Sequence, residues 1–280
     1  MVMFKKAEKT QSKLRLALFG PPGSGKTMTA LKMAVGMSNK IAVIDSEHGT
    51  ASKYSDRYAF DVINLEKKNI AEYTEAIKAA AASGYEVLVI DSLSHAWQEL
   101  LEDIEKLAKS KYNNNTFRAW GEGTPLQREF TETVLTFPGH VIATMRSKIE
   151  YSIEKDDKGR TVIEKKGLAP EQGKSIEYEF DFLMELNQAH RAFISKDRSG
   201  KYQDKEYDKP GEELGKELAA WLSEGKVYVA PERTPEQEKT YLIDKCKVLA
   251  ITLDVAKMKT LDITGQIAEM KALITAKEAK

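Results

Sequence analysis

A chain of 280 residues is long enough to bury one large α/β core with a small appended unit. Its 43 basic and 43 acidic side chains cancel, which excludes a global field that would draw the chain onto DNA or anionic lipid and leaves only a local patch for any nucleic-acid contact. The single cysteine, Cys246, excludes an internal disulfide and a Cys-built metal site; with no long apolar N-terminal core and no bilayer-length apolar stretch, a soluble, cytoplasmic chain is expected.

Residues 1–12 are polar and read as a flexible N-terminal segment. Lys13 to Phe19 is an apolar run of strand length, and the run from Met28 to about Ser38 has apolar residues at helical spacing. Between them, Gly20-Pro21-Pro22-Gly23-Ser24-Gly25-Lys26-Thr27 fits G-x-x-x-x-G-K-[ST], the phosphate-binding loop, in the strand–loop–helix context that the motif requires. The glycines Gly20, Gly23 and Gly25 permit backbone angles that turn successive N–H groups towards phosphate oxygens. A helix opening at Gly25 adds unpaired N–H groups and the positive end of its dipole. Lys26 is suited to the β and γ phosphates and the Thr27 hydroxyl to Mg²⁺; Met28 closes the nucleotide-binding stretch. A Gly-rich turn with a chance lysine is the bland alternative, and the flanking elements argue against it.

Further along, Lys40 to Ile44 reads as a buried parallel strand ending in Asp45-Ser46-Glu47-His48, and Asn69 to Ala82 as a helix. Tyr85 to Ile90 is another buried strand, ending in Asp91, and His95 to Ser110 another helix. Residues 111–123 form a polar break, after which Thr124-Pro125 is expected to start a helix to about Thr136, with Pro125 at the first helical position. His140 to Arg146 is a strand; 147–178 is an excursion in which Tyr151–Ile153 and Thr161–Ile163 can pair across Asp156-Asp157-Lys158-Gly159. Phe180–Leu186 and His190–Ser195 read as antiparallel strands closing the sheet, and Glu212–Leu222 as a short helix. Thr234-Pro235-Glu236-Gln237 is a capping-box start, with two helices expected from there to Lys280, broken around Thr252-Leu253-Asp254. Strands alternating with helices predict a mostly parallel sheet with helices on both faces. The domain reading is 1–12 flexible, 13–229 the core that carries the phosphate loop, and 230–280 a small C-terminal helical extension.

Ligands of open α/β sheets sit beyond the carboxyl ends of the strands, where Asp45, Glu47 and Asp91 fall. Asp91 ends an apolar strand one helix after the loop strand's neighbour and suits Mg²⁺, directly or through water; a helix-capping carboxylate is the alternative. Glu47, just past its strand, can orient and deprotonate an attacking water, a contribution of roughly 10²–10⁴-fold, although a plain loop glutamate fits the residues equally well. Thr144, at the end of a neighbouring strand, is a weaker candidate for sensing the γ phosphate.

The succession of phosphate loop, Ile44-Asp45-Ser46-Glu47-His48 and Val89-Ile90-Asp91-Ser92 resembles the RecA family of ATP-dependent strand-exchange proteins. The resemblance covers about residues 13–201 and implies a RecA-like P-loop NTPase core, with Glu47 activating water and Asp91 in the Mg²⁺ site. Residues 111–123 and 147–178 match the family's DNA-binding loops in position. The compact length is similar to phage RecA-like ATPases associated with single-strand annealing and recombination. Ser195-Lys196-Asp197-Arg198-Ser199-Gly200 is similar to the K-x-R-x-G segment of hexameric helicases, whose lysine and arginine reach the ATP of a neighbouring subunit. That implies a homo-oligomeric ring or filament, with Lys196 and Arg198 supplied in trans. The strand carrying a glutamine sensor in RecA reads Ala143-Thr144-Met145-Arg146 here, which departs from the family.

Cations interleaved with aromatics in the first polar segment suit single-stranded DNA. The candidates are Lys111, Arg118 and Trp120 there, and Arg146, Lys148, Arg160, Lys165 and Lys166 in the excursion, where acidic residues dilute the charge. A solvated hairpin and a core tryptophan are the plain alternatives. The sequence thus points to a DNA-dependent ATPase using ATP and Mg²⁺ that oligomerises on single-stranded DNA and promotes annealing or strand exchange. The rivals are a RecA-fold ATPase acting on a protein partner, a small-molecule kinase, and a non-hydrolysing nucleotide switch.

Overall fold

The computed structural model describes residues 6–155, 161–173, 176–227, 234–249 and 251–278. The chain separates into two compact units, Gln11–Gly225 and a second made of Lys226 onward with the residues before Gln11.

The larger unit is built on β1 (Arg15–Gly20), β2 (Ile41–Asp45), β3 (Asp61–Asn64), β4 (Val87–Asp91), β5 (His140–Lys155), β6 (Thr161–Pro170), β7 (Phe182–Leu186), β8 (Arg191–Asp197) and β9 (Glu206–Asp208). The order across the sheet is β3-β2-β4-β5-β1-β7-β8-β9, with β6 paired to β5 alone. All contacts from β3 to β7 are parallel, and β8 and β9 are added antiparallel. The central strands are buried on both faces, so they read as continuous apolar runs rather than alternating ones.

Alternate residues nevertheless serve different faces. Leu16, Leu18, Ile41, Val43, Val87, Val89 and Ile142 pack on one side, against α1 (Lys26–Met37) and a helix at Glu212–Leu222. Ala17, Phe19, Ile44, Leu88, Ile90, Val141 and Met145 pack on the other, against α2 (Ile70–Ala82), α3 (Leu93–Lys111) and α4 (Thr116–Leu135). A short α5 (Ile176–Glu179) follows the β5–β6 ribbon, and the Glu212–Leu222 helix is α6. This is a mostly parallel P-loop α/β fold with helices on both faces, as the sequence predicts.

Several elements differ from the sequence reading. The loop strand β1 is not beside β2: β5 lies between β1 and β4, so chain order does not give spatial order. The polar break is mostly helix. Asn115 caps α4, its side chain accepting from Arg118 N–H at 3.0 Å, and Pro125 lies in the helix interior rather than at its start. A good N-cap and burial of Ala119 in the α3–α4 seam outweigh one lost backbone donor. The predicted hairpin is a much longer ribbon, Ser147 pairing with Pro170 and Ile153 with Ile163, with a register shift at Glu150/Tyr151. Its predicted turn, Asp156 to Gly159, lies outside the described residues. Edge strands β3 and β9, four and three residues long and largely exposed, are absent from the sequence reading and complete the sheet.

Arg15 ties β1 to the end of α4. Its guanidinium donates to Leu135 O (2.7 Å) at the end of α4, and to Phe137 O and Gly139 O (2.8 Å) in the turn that follows. Burial lowers its pKa to about 10.

In the second unit, α7 (Pro235–Val248) starts with the expected capping box, Gln237 N–H donating to Thr234 Oγ1 and Gln237 Oε1 accepting from Thr234 N–H. α8 (Val255–Thr260) and α9 (Ile263–Glu278) follow, so the expected second helix is divided at Leu261-Asp262. Leu242, Cys246, Met270 and Ile274 make its core. In the segment read as flexible, Thr10 bridges to Lys226 and Lys9 O accepts from Lys226 N–H. Among the described residues no helix is long and apolar enough to cross a membrane.

Candidate nucleotide site

The parallel strands end together, and the register sets what meets there. Gly20 pairs with Arg146 and Leu18 with Thr144 across β1–β5; Asp45 pairs with Asp91 across β2–β4. An open cleft of about 840 Å³ lies over these ends, lined by Gly23, Gly25, Lys26, Thr27, Met28, Glu47, Asp91, Thr144 and Arg146, and by Tyr54, His190, Lys209 and Pro210.

The phosphate loop has the form its sequence demands. Gly23 (φ 77°) and Gly25 (φ 86°) occupy the left-handed region that side chains avoid, and Gly25 is the N-cap of α1. Gly20 is needed for a different reason than backbone angle: a Cβ there would run into Leu186 O of β7. Gly20, Pro21, Pro22, Gly23, Ser24, Gly25, Lys26, Thr27 and Met28 thus form one turn into a helix whose first N–H groups face the cleft end of the sheet. Lys26 Nζ donates to Gly20 O (2.9 Å) and Pro21 O (3.0 Å), so it lies across the loop. Burial lowers its pKa, opposed by Asp91 and Glu47.

Asp91 is buried and anchored on both oxygens. Thr27 Oγ1 donates to Oδ2 at 2.7 Å, and Thr144 Oγ1 donates to Oδ1. Burial raises its pKa, and the two hydroxyls oppose that shift. A hydroxyl and a carboxylate side by side at a phosphate loop are the hard oxygen donors that Mg²⁺ takes, one or two from protein and the rest from phosphates and water. These residues therefore fit Mg²⁺. Among the described residues no cluster of three or more His, Cys, Asp or Glu could hold a metal alone.

Of the three strand-end acids, Asp45 is structural. Its carboxylate accepts from Glu47 N–H (2.6 Å) and Ala51 N–H (2.8 Å), folding the 46–51 turn that carries Glu47 to the cleft. Glu47 Oε1 is 3.2 Å from Arg146 Nη2 and 3.6 Å from His95 Nε2.

The other candidates have different surroundings. Arg146, expected among the DNA contacts, instead turns into the cleft towards Glu47 and His95, because its place on β5 beside Gly20 puts it there. Lys196 donates to Glu177 O (2.6 Å), Tyr178 O (3.0 Å) and Phe180 O (2.7 Å), which uses all three ammonium N–H groups. Arg198 donates to Tyr178 O and pairs with Asp181 at 3.2 Å. Both therefore staple the segment entering β7 within their own chain, and neither lines this chain's cleft.

Lys111 pairs with Glu122 (2.6 Å), and Trp120 packs against Trp97 with ring centroids 5.7 Å apart, so both join α3 to α4. Arg118 and Lys148 are exposed, as is Phe117 at 87 %. Lys165 and Lys166 belong to β6, and Arg160 lies outside the described residues.

His95 and His190 escaped the sequence reading. His95 had a legible signal: it stands four residues after Asp91, in the first turn of the helix leaving that strand, which returns it to the site. His190, whose Nδ1 donates to Ser24 O at 3.1 Å, reaches the loop only because β7 lies beside β1.

A phosphate loop on this sheet, with Thr27 and Asp91 in contact behind it, defines a P-loop nucleoside-triphosphate-binding protein. The model of the AAA domain matches residues 12–224, and the chain belongs to that family. No curated protein matches the sequence. A solved structure described as a prototypical ATPase from the type III secretion system of pathogenic bacteria is similar over 96 % of this chain and 88 % of its own, at 12 % identity and a TM-score of 0.37, a likeness too slight to bear on function.

Proposed function

We propose that the chain binds Mg²⁺-ATP in this cleft and hydrolyses it to ADP and phosphate. The observation that carries the reading is the Thr27–Asp91 contact at 2.7 Å, with Lys26 on one side and Glu47 facing the same cleft. Lys26 and the loop N–H groups hold the β and γ phosphates. Thr27 and Asp91 hold Mg²⁺, which when bound supplies neutralisation of phosphate charge. Thr144 fixes the carboxylate of Asp91 and stands next in the cleft. Glu47 orients a water towards the γ phosphorus and takes its proton as the new P–O bond forms and the bond to the β,γ-bridging oxygen breaks. The acidic water-activating candidate facing the cleft favours hydrolysis over a passive switch.

The finer reading is an oligomer on single-stranded DNA that couples hydrolysis to annealing or strand exchange, as in the phage RecA-like ATPases. Exposed Phe117, Arg118 and Lys148 support it; the pairing of Lys111 and the packing of Trp120 weaken it. Lys196 and Arg198 act in trans only if a neighbouring subunit draws them from residues 177–181.

The test is the ATPase rate with and without single-stranded DNA for wild type, Glu47→Gln and Arg198→Ala. Loss in Glu47→Gln supports hydrolysis through Glu47, and full activity there would leave a site without that base. Stimulation by DNA supports the finer reading. A rate indifferent to DNA would favour an ATPase serving a protein partner.

A further inference from the structure

Behind Glu47 lies a chain of polar groups with one consistent assignment of protons. Ser46 Oγ accepts from Ser92 N–H (2.9 Å) and is 3.1 Å from Ser92 O, its carbonyl partner among the described residues. Arg146 Nη2 lies 2.6 Å from His95 Nε2. A guanidinium can only donate, so Nε2 must be the acceptor and the ring proton must sit on Nδ1. Nδ1–H then donates to Ser46 Oγ at 2.7 Å, and the Ser46 hydroxyl donates to Ser92 O. Ser46 Oγ thus accepts from two N–H groups and gives its one proton to Ser92 O, which also accepts from Tyr73 Oη–H at 2.7 Å, within the two lone pairs of a carbonyl. The remaining N–H of Nη2 goes to Glu47 Oε1.

The arrangement leaves two acceptors, His95 Nε2 and Glu47 Oε1, facing each other at 3.6 Å with Arg146 bonded to both. If His95 gained a proton it would lose Arg146 and pair with Glu47 directly. A proton and the guanidinium therefore compete for one place.

We propose that His95 and Arg146 are positioning residues for Glu47, the neutral imidazole fixing the guanidinium and the guanidinium fixing the carboxylate at the cleft. The kinetic part rests on the hydrolytic reading above; the proton assignment does not. The charged groups facing His95 are Arg146 from β5, Glu47 and His48 from the turn after β2, and Lys68 from the approach to α2. Burial lowers the pKa of His95, Arg146 lowers it further and Glu47 opposes, in the direction of the neutral imidazole that the Arg146 contact requires.

Two measurements on the full chain test this. The first is nitrogen-15 histidine NMR, with His95→Gln used to assign the resonance. The Nδ1–H tautomer is expected at pH 7.5, and Arg146→Ala should raise the titration midpoint of His95, since a cation is lost and Glu47 remains. An Nε2–H tautomer in wild type would overturn the proposal without any variant having to fold. A midpoint unmoved by Arg146→Ala, in a variant with wild-type circular dichroism, would overturn it too.

The second measurement is ATP turnover against pH. His95→Ala should lower kcat about ten- to a hundredfold with KM little changed, the signature of a misplaced catalytic group. His95→Gln, whose carboxamide oxygen can accept from Arg146 without titrating, should recover most of that loss and move the acid limb to lower pH. Identical profiles for the three proteins would overturn the proposal while leaving the hydrolytic reading in place. An inactive wild type showing the Nδ1–H tautomer and the shifted midpoint would remove the hydrolytic reading and support the network.

Discussion

Lys26 and Asp45 illustrate how residues a short distance apart divide binding from scaffolding. Lys26 is bonded only to loop carbonyls, so its removal should leave the fold intact while taking a charge-assisted contact from the phosphates. Such contacts are worth about 1.5–3 kcal/mol, so Lys26→Ala should weaken ATP binding by about ten- to a hundredfold in a fluorescent-nucleotide titration, with an unchanged urea midpoint. Asp45 is the reverse case. Asp45→Ala leaves the buried N–H of Ala51 and that of Glu47 without their acceptor, at about 1–3 kcal/mol of stability, read as a lower urea midpoint. The two are separable because one set of bonds faces a ligand and the other closes a turn. Sequence alone placed three acids at strand ends, but which oxygen meets which N–H follows from the turn that 46–51 adopts.

At the scale of elements, α4 and the β1–β5 pair each carry a consequence. Pro125 gives α4 no N–H to bond, and Asn115 supplies the cap that starts it. Asn115→Ala should cost about 1 kcal/mol. Pro125→Ala should stabilise by about 1–3 kcal/mol, and thermal melts of the two variants should move in opposite directions. A Pro-first rule misled the reading of this segment because the local preference for Pro at a helix start is weaker than a cap plus a packed seam.

His140 opens β5 and accepts from Leu14 N–H at 3.0 Å at the foot of β1. Burial first, then Lys13 and Arg15, lower its pKa from 6.5 to about 4. Above pH 6.5 the group is neutral folded or unfolded and costs nothing. As the pH falls towards 4 the unfolded chain takes up a proton that the native state refuses, and stability falls by about 1.4 kcal/mol per unit, to about 3 kcal/mol in all. In His140→Asn, which keeps an acceptor without the titration, denaturant midpoints measured from pH 7 to pH 4 should lose less by that amount.

At the scale of the molecule, the division at Gly225 has a test of its own. Residues 11–225 hold the sheet, both helical layers and every group lining the cleft. A chain cut to that span should fold cooperatively and bind ATP with the affinity of the whole. Failure to fold would make the second unit part of the core.

What the sequence determined by itself is whatever depends on neighbours along the chain. The phosphate loop, the capping box of α7 and the doubly buried strands are legible because backbone angles, caps and burial periods act over a few residues. Thr27, Lys26 and Asp91 were legible for the same reason, each standing at the end of an element whose type the local pattern reveals. Tertiary structure alone decided which strands are neighbours. By putting β5 between β1 and β4 it brought Thr144 onto Asp91 and turned Arg146 towards Glu47, when its sequence surroundings had suggested a DNA contact. It also brought His95 and Ser46, 49 positions apart, within 2.7 Å. Pairing across a parallel sheet is settled by packing between segments distant in the chain, and no local pattern encodes it.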